Sequence, residues 1–88
     1  MCTAITYQTN DHYFGRNLDL EYTYRESVVV TPRKYALAFH RLPPLNMHYA
    51  LIGIATVVNG YPLYYDATNE YGLSMAGLNF PGNAVYFP

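Results

Sequence analysis

YALIGIATVVNGYPLYYDATNEYGLSMAGL, residues 49–78, is the stretch that decides the fold. Tyr49 to Val58 is the longest apolar run in the chain, and its β-branched residues suit a strand better than a helix. Asn59-Gly60 follows, and both residue types accept the positive φ that a type I′ hairpin turn requires. Tyr61 to Thr68 then reads as the returning strand. Asn69-Glu70-Tyr71-Gly72 has the composition of a second turn, and Leu73 to Leu78 reads as a third strand. The stretch is predicted to be an antiparallel meander.

Outward toward the N-terminus, Leu42-Pro43-Pro44-Leu45 is a break, because consecutive prolines cannot continue a ladder. Tyr35 to His40 is predicted as a strand. Ser27 to Thr31 carries Val28-Val29-Val30 and is expected to be a short buried strand ended by Pro32. Arg33-Lys34, the one adjacent basic pair, reads as a solvated turn. Glu21 to Glu26 is a polar and aromatic surface loop. Thr3 to Thr9 and His12 to Arg16 flank the turn-forming Asn10-Asp11 and predict an N-terminal hairpin. Downstream of the meander, Asn79-Phe80-Pro81-Gly82-Asn83 is a loop by composition. No capping box precedes a 3.6-residue apolar stripe, so no helix is expected. The expected fold class is mainly β, built from antiparallel strands and hairpins.

The composition sets limits. The chain has 88 residues, enough for one small domain. Hydrophobic residues make up 51% and charged residues 12%, against about 25% charged in ordinary domains. Eleven tyrosines and four phenylalanines add to an apolar excess that calls for cover, from a partner chain, a lipid-like ligand or further polypeptide. A net charge of −1 gives no electrostatic case for nucleic acid. A single cysteine forms no internal disulfide. No basic segment leads into an apolar run, so no signal peptide is expected, and no 18-residue apolar stretch predicts a membrane span.

That single cysteine is Cys2, directly behind Met1. Loss of Met1 would leave a residue carrying both a thiol and a free α-amine, a nucleophile and a base in one place. The plainer reading is a cysteine that happens to lie near a terminus. The strand pairing predicted above returns Arg16 and Asp19 to the rim where Cys2 begins its strand. A guanidinium there would favour the thiolate, and a carboxylate could hold the α-amine; an exposed ion pair is the ordinary alternative. Asn79 sits past a strand in a loop that could aim an N–H at an oxyanion, although Asn before a turn is commonplace. His12, His40 and His48 lack metal-ligand spacing, and no glycine-rich phosphate loop is present.

Three motifs now combine: MCTAITY at 1–7, FGRNLD at 14–19 and YPLYYDATNEYGLSMAGLNFPGNA at 61–84. Together they closely resemble the choloylglycine hydrolases, which comprise the bile salt hydrolases and the related penicillin V acylases. These are N-terminal nucleophile hydrolases, and the resemblance runs over essentially the whole chain. It implies that residues 1–88 are the N-terminal β portion of one αββα sandwich, whose helical layers lie beyond residue 88. It also implies that Cys2, freed of Met1, is the nucleophile toward the amide joining a steroid acyl group to glycine or taurine. Arg16 would stand beside the thiol, Asp19 would hold the α-amine and Asn79 would help form the oxyanion hole. A second oxyanion asparagine and a further arginine would lie past residue 88.

The family implies no metal or organic cofactor, a conjugated bile acid as small-molecule substrate, a bacterial cytoplasmic location and a homo-oligomer, a tetramer. Asn rather than Tyr at position 79 resembles the bile salt hydrolases more than the penicillin acylases. The alternatives are a penicillin V or other N-acyl amide acylase, and a β-rich piece inactive in isolation. Leu18, Tyr22, Val58 and Tyr65 are candidates to line the pocket mouth, with ordinary sheet packing as the other account of each.

Overall fold

The structure, a computed structural model, describes residues 2–19, 21–79 and 82–86. Met1, whose loss would free the Cys2 α-amine, and Phe80 and Pro81 of the predicted loop lie outside the described residues. The described residues form seven strands and no helix. They are β1 (Thr3–Gln8), β2 (His12–Asn17), β3 (Ser27–Thr31), β4 (Leu51–Val58), β5 (Tyr61–Tyr64), β6 (Asp66–Asn69) and β7 (Ser74–Ala76). The mainly antiparallel β class read from the sequence is the class observed.

β1 and β2 form the N-terminal hairpin, in register from Thr3 opposite Asn17 to Gln8 opposite His12. The pairing therefore brings the chain after Asn17 back beside Cys2. The other strands form a second sheet in the order β3-β4-β6-β7, with β5 also on β4. The Asn59-Gly60 turn is as predicted, with φ of 50° and 76°. The second turn closes where Asn69 Oδ1 accepts the N–H groups of Tyr71 and Leu73, and Gly72 sits at φ 88°.

Three expectations are corrected. Tyr61–Thr68 is not one strand. Ala55 faces Tyr64 and Ile52 faces Thr68, so three steps along β4 oppose four along its partner. The extra residue is a β-bulge at Tyr65-Asp66. There the Tyr65 N–H donates to the Ile54 carbonyl at 2.8 Å, and the Asp66 carboxylate accepts the Ile54 N–H at 3.0 Å. Tyr35–His40 is not a strand either. It makes only an isolated bridge, Leu37 to Leu45, because the two prolines beside Leu45 offer no N–H to extend it. The segment is held instead by side chains. Arg33 forks onto Glu70 at 2.8 Å and 2.9 Å, and His48 spans the Tyr35 and Tyr49 carbonyls.

Nor is β3 buried: Val28 and Val30 are 68% and 63% exposed. It pairs only with β4, so it is an edge strand of its sheet. Thr31, Ala55 and Pro62 are the buried residues among those described. The Thr31 hydroxyl is bonded to the Tyr64 hydroxyl at 2.6 Å, which satisfies it.

Candidate active site

Cys2 lies half-buried at the start of β1. A cleft of about 320 Å³ opens beside it, lined by Cys2, Leu18, Asp19, Tyr64, Tyr65, Gly77, Leu78, Asn79 and Tyr86. Its walls come from three places distant in sequence: the end of the β1–β2 hairpin, the bulge after β5 and the chain leaving β7.

The Cys2 thiol is held below its ordinary pKa. The largest cause is the Asp19 backbone N–H donating to it. Partial burial opposes the shift, and the Arg16 side chain and then the Asn79 backbone N–H lower the thiol further. The Arg16 charge adds the smallest part. Hydrogen bonds to the charged form dominate, which is the arrangement of a thiol prepared to act as thiolate.

Arg16 reaches the cleft from β2 and is almost enclosed, its side chain 6% exposed. Each guanidinium nitrogen has a carbonyl acceptor. Nε donates to Asn17 at 3.1 Å, Nη1 to Tyr65 at 2.9 Å and Nη2 to Gly77 at 2.9 Å. The bulge makes this possible, because it turns the Tyr65 carbonyl away from β4. That carbonyl also accepts the Gly77 N–H at 2.9 Å, which ties β7 to the same point. Behind Arg16 lies Asp66, 3.6 Å from Nη1 and 11% exposed. Asn17 braces the rim. Its Oδ1 accepts the Thr3 N–H, and its Nδ2 donates to Asp19 Oδ2 at 3.2 Å.

Cys2, Arg16, Asp19 and Asn79 are therefore brought together. Of the four pocket-mouth candidates, Leu18 and Tyr65 line this cleft and the other two do not. Tyr22 is 71% exposed on the loop before β3. Val58 stands at the turn end of the β4–β5 hairpin and lines a separate cavity of about 520 Å³ with Phe39, His40 and Tyr61. Tyr65 is further steadied through its hydroxyl, bonded to Thr56 Oγ1 at 3.1 Å, while Thr56 donates to the Tyr24 carbonyl at 2.9 Å. Sequence reasoning missed Asp66, Asn17 and Tyr64. Asp66 had a readable signal, since aspartate is depleted in strand interiors and stands here within an apolar strand run. Among the described residues no three His, Cys, Asp or Glu side chains group as a metal site.

A cysteine at position 2 that receives hydrogen bonds from an arginine and two backbone N–H groups suits nucleophilic amide chemistry, and comparison with known proteins gives the family. The model of the linear amide C–N hydrolases, choloylglycine hydrolase family, matches residues 2–87, and the chain belongs to that family. It is 60% identical over 86 residues to a bile salt hydrolase/transferase of Lactiplantibacillus plantarum, covering 98% of this chain and 26% of that protein. It is 49% identical over 89 residues to a conjugated bile acid hydrolase of Lactobacillus gasseri, covering 98% of this chain and 28% of that one. Among solved structures, the mutant C2A conjugated bile acid hydrolase from Clostridium perfringens is similar, with a TM-score of 0.84 and 38% identity. That match covers 98% of this chain and 27% of the other. The chain thus spans about a quarter of the length of these relatives.

Proposed function

We propose that the whole protein hydrolyses the amide bond of glycine- or taurine-conjugated bile acids, with Cys2 as nucleophile once Met1 is removed. The observation that carries this reading is the convergence on one thiol of the Arg16 side chain and the Asp19 and Asn79 backbone N–H groups. The thiolate attacks the amide carbonyl and the C–N bond breaks. The leaving amine takes a proton relayed by the α-amine of Cys2, and a thioester remains. Water then adds to the thioester, releasing the bile acid and restoring the thiol. Asn79 supports the oxyanion: an N–H that reaches the sulfur is one atom away from the oxygen of the carbonyl being attacked. Asp19 orients the α-amine by a charge-assisted bond. Leu18 and Tyr65 offer the acyl group an apolar wall.

A second outcome of the same thioester is attack by an amine in place of water, which would transfer the acyl group. The name of the L. plantarum relative, a bile salt hydrolase/transferase, favours this addition. Among the described residues no helix is long and apolar enough to cross a membrane, and a cytoplasmic homo-oligomer, a tetramer, completes the proposal.

The test uses the full-length protein with glycocholate, taurocholate and penicillin V. Release of glycine or taurine, lost on Cys2→Ser, is expected. Turnover of penicillin V with none of either bile salt would refute the bile salt assignment. Intact mass reports in the same preparation whether Cys2 is the first residue.

A further inference from the structure

The three carbonyl acceptors around Arg16 already fix the direction of its guanidinium. Asp66 adds something different. At 3.6 Å from Nη1 it is beyond a good hydrogen bond but well within ion-pair range. Its own position is fixed on two sides. Oδ1 accepts the Ile54 N–H at 3.0 Å, and its main chain packs against Gly53 so closely that a Cβ there would meet the Asp66 carbonyl oxygen at 2.0 Å. With Oδ1 committed to the backbone, Oδ2 is left facing the cation. A nearly enclosed guanidinium with no counter-charge is costly, and its uncompensated field would bear on the thiol. That field has a drawback, since the nucleophilicity of a thiolate falls as its pKa falls.

We propose that Asp66 is a positioning residue for charge: its carboxylate, fixed behind Arg16, offsets the guanidinium and limits how strongly Arg16 favours the Cys2 thiolate. The proposal rests on the catalytic reading of Cys2 and Arg16. The other ionisable groups lining the cleft with Cys2 are Asp19 after β2, Tyr64 and Tyr65 at the bulge and Tyr86, and the α-amine of Cys2 joins them once Met1 is removed. All of them persist in the variants compared below.

The experiment follows the pH dependence of Cys2 alkylation by iodoacetamide in the full-length protein, read by intact mass. Asp66→Asn keeps an oxygen for the Ile54 N–H and removes the charge. Its alkylation midpoint should fall, by less than about one pH unit, because the Arg16 charge that Asp66 offsets is the smallest of the causes acting on the thiol. An unchanged midpoint overturns the proposal, and so does a raised one, which would mean that Asp66 holds Arg16 in place and does not offset it. Should Asp66→Asn unfold, Arg16→Met and the double variant Arg16→Met/Asp66→Asn carry the test. The single variant should have a midpoint above wild type, and the double should fall back below the single by less than about one unit; coincident midpoints overturn the proposal. Alkylation needs no turnover, so the two readings separate. If fully alkylated enzyme still hydrolyses conjugates, the catalytic role of Cys2 fails while the midpoints still judge Asp66.

Discussion

Gly53→Ala should damage the cleft through the neighbouring strand β6. Gly53 lies on β4 opposite Val29, and an added Cβ would stand 2.0 Å from the Asp66 carbonyl oxygen and 2.8 Å from the Ala67 Cα. Real Cβ contacts almost never fall under 3.0 Å, so the backbone at 66–67 must retreat by roughly an ångström. No flexible side chain can absorb the overlap, because the opposing atoms are main chain. The Tyr65 N–H to Ile54 bond and the Asp66 to Ile54 bond hold that main chain in place. Overpacking of this kind costs about 1–3 kcal/mol, and the rigid neighbour argues for the upper end. The displaced segment carries the Tyr65 carbonyl and the Asp66 carboxylate, both of which contact Arg16. A shift of about 1 Å in a catalytic group costs on the order of 10²-fold in rate. The assay is urea unfolding of full-length wild type and Gly53→Ala, with kcat and KM on a glycine conjugate. Lower stability and a fall mainly in kcat are expected. A wild-type unfolding midpoint together with activity within about twofold would refute the chain of contacts from Gly53 through the bulge to Arg16.

Two other substitutions probe separate points. The N–H that Asn79 aims at Cys2 belongs to the backbone, so Asn79→Ala should retain kcat within about tenfold, whereas loss of an oxyanion donor costs about 10²–10³; steady-state kinetics on a bile salt conjugate distinguishes the two. Gly60→Val places a β-branched residue at φ 76° and crowds the Tyr35 hydroxyl, 3.2 Å from the new Cβ, so it should lower stability by about 1–2 kcal/mol in urea unfolding while leaving the alkylation midpoint of Cys2 unchanged.

What the sequence revealed was local. Asn59-Gly60 announces a hairpin because turn chemistry resides in two residues, and Cys2, Arg16 and Asp19 could be placed on one rim because hairpin pairing is a matter of counting. The bulge at Tyr65-Asp66 was not legible. Its extra residue shows only as a register difference against β4, and nothing within YYDAT marks which residue is unpaired. An aspartate inside a strand run marked Asp66 as unusual, but its place in the site was not legible, since its partners Arg16 and Ile54 come from other strands. Val28 and Val30 read as buried because hydrophobicity records what a residue can bury, whereas exposure depends on what else packs against β3. Val58 and Tyr65 read alike as flanks of one turn, and only the distance of each from the β1–β2 rim separates them.

The cradle around Arg16 is made of main-chain oxygens, those of Asn17, Tyr65 and Gly77. Such a binding place is indifferent to which side chains occupy those positions, provided the backbone keeps its path. Apart from Asp66, drift in residue identity along β5 to β7 can therefore proceed without loosening the cation. A change in length cannot: removing one residue between 64 and 68 would even out the count against β4, return the Tyr65 carbonyl to the ladder and take from Arg16 one of its three acceptors. Across descendants of this sequence, the number of residues between the Asn59-Gly60 turn and Gly77 should be more tightly kept than the residues themselves.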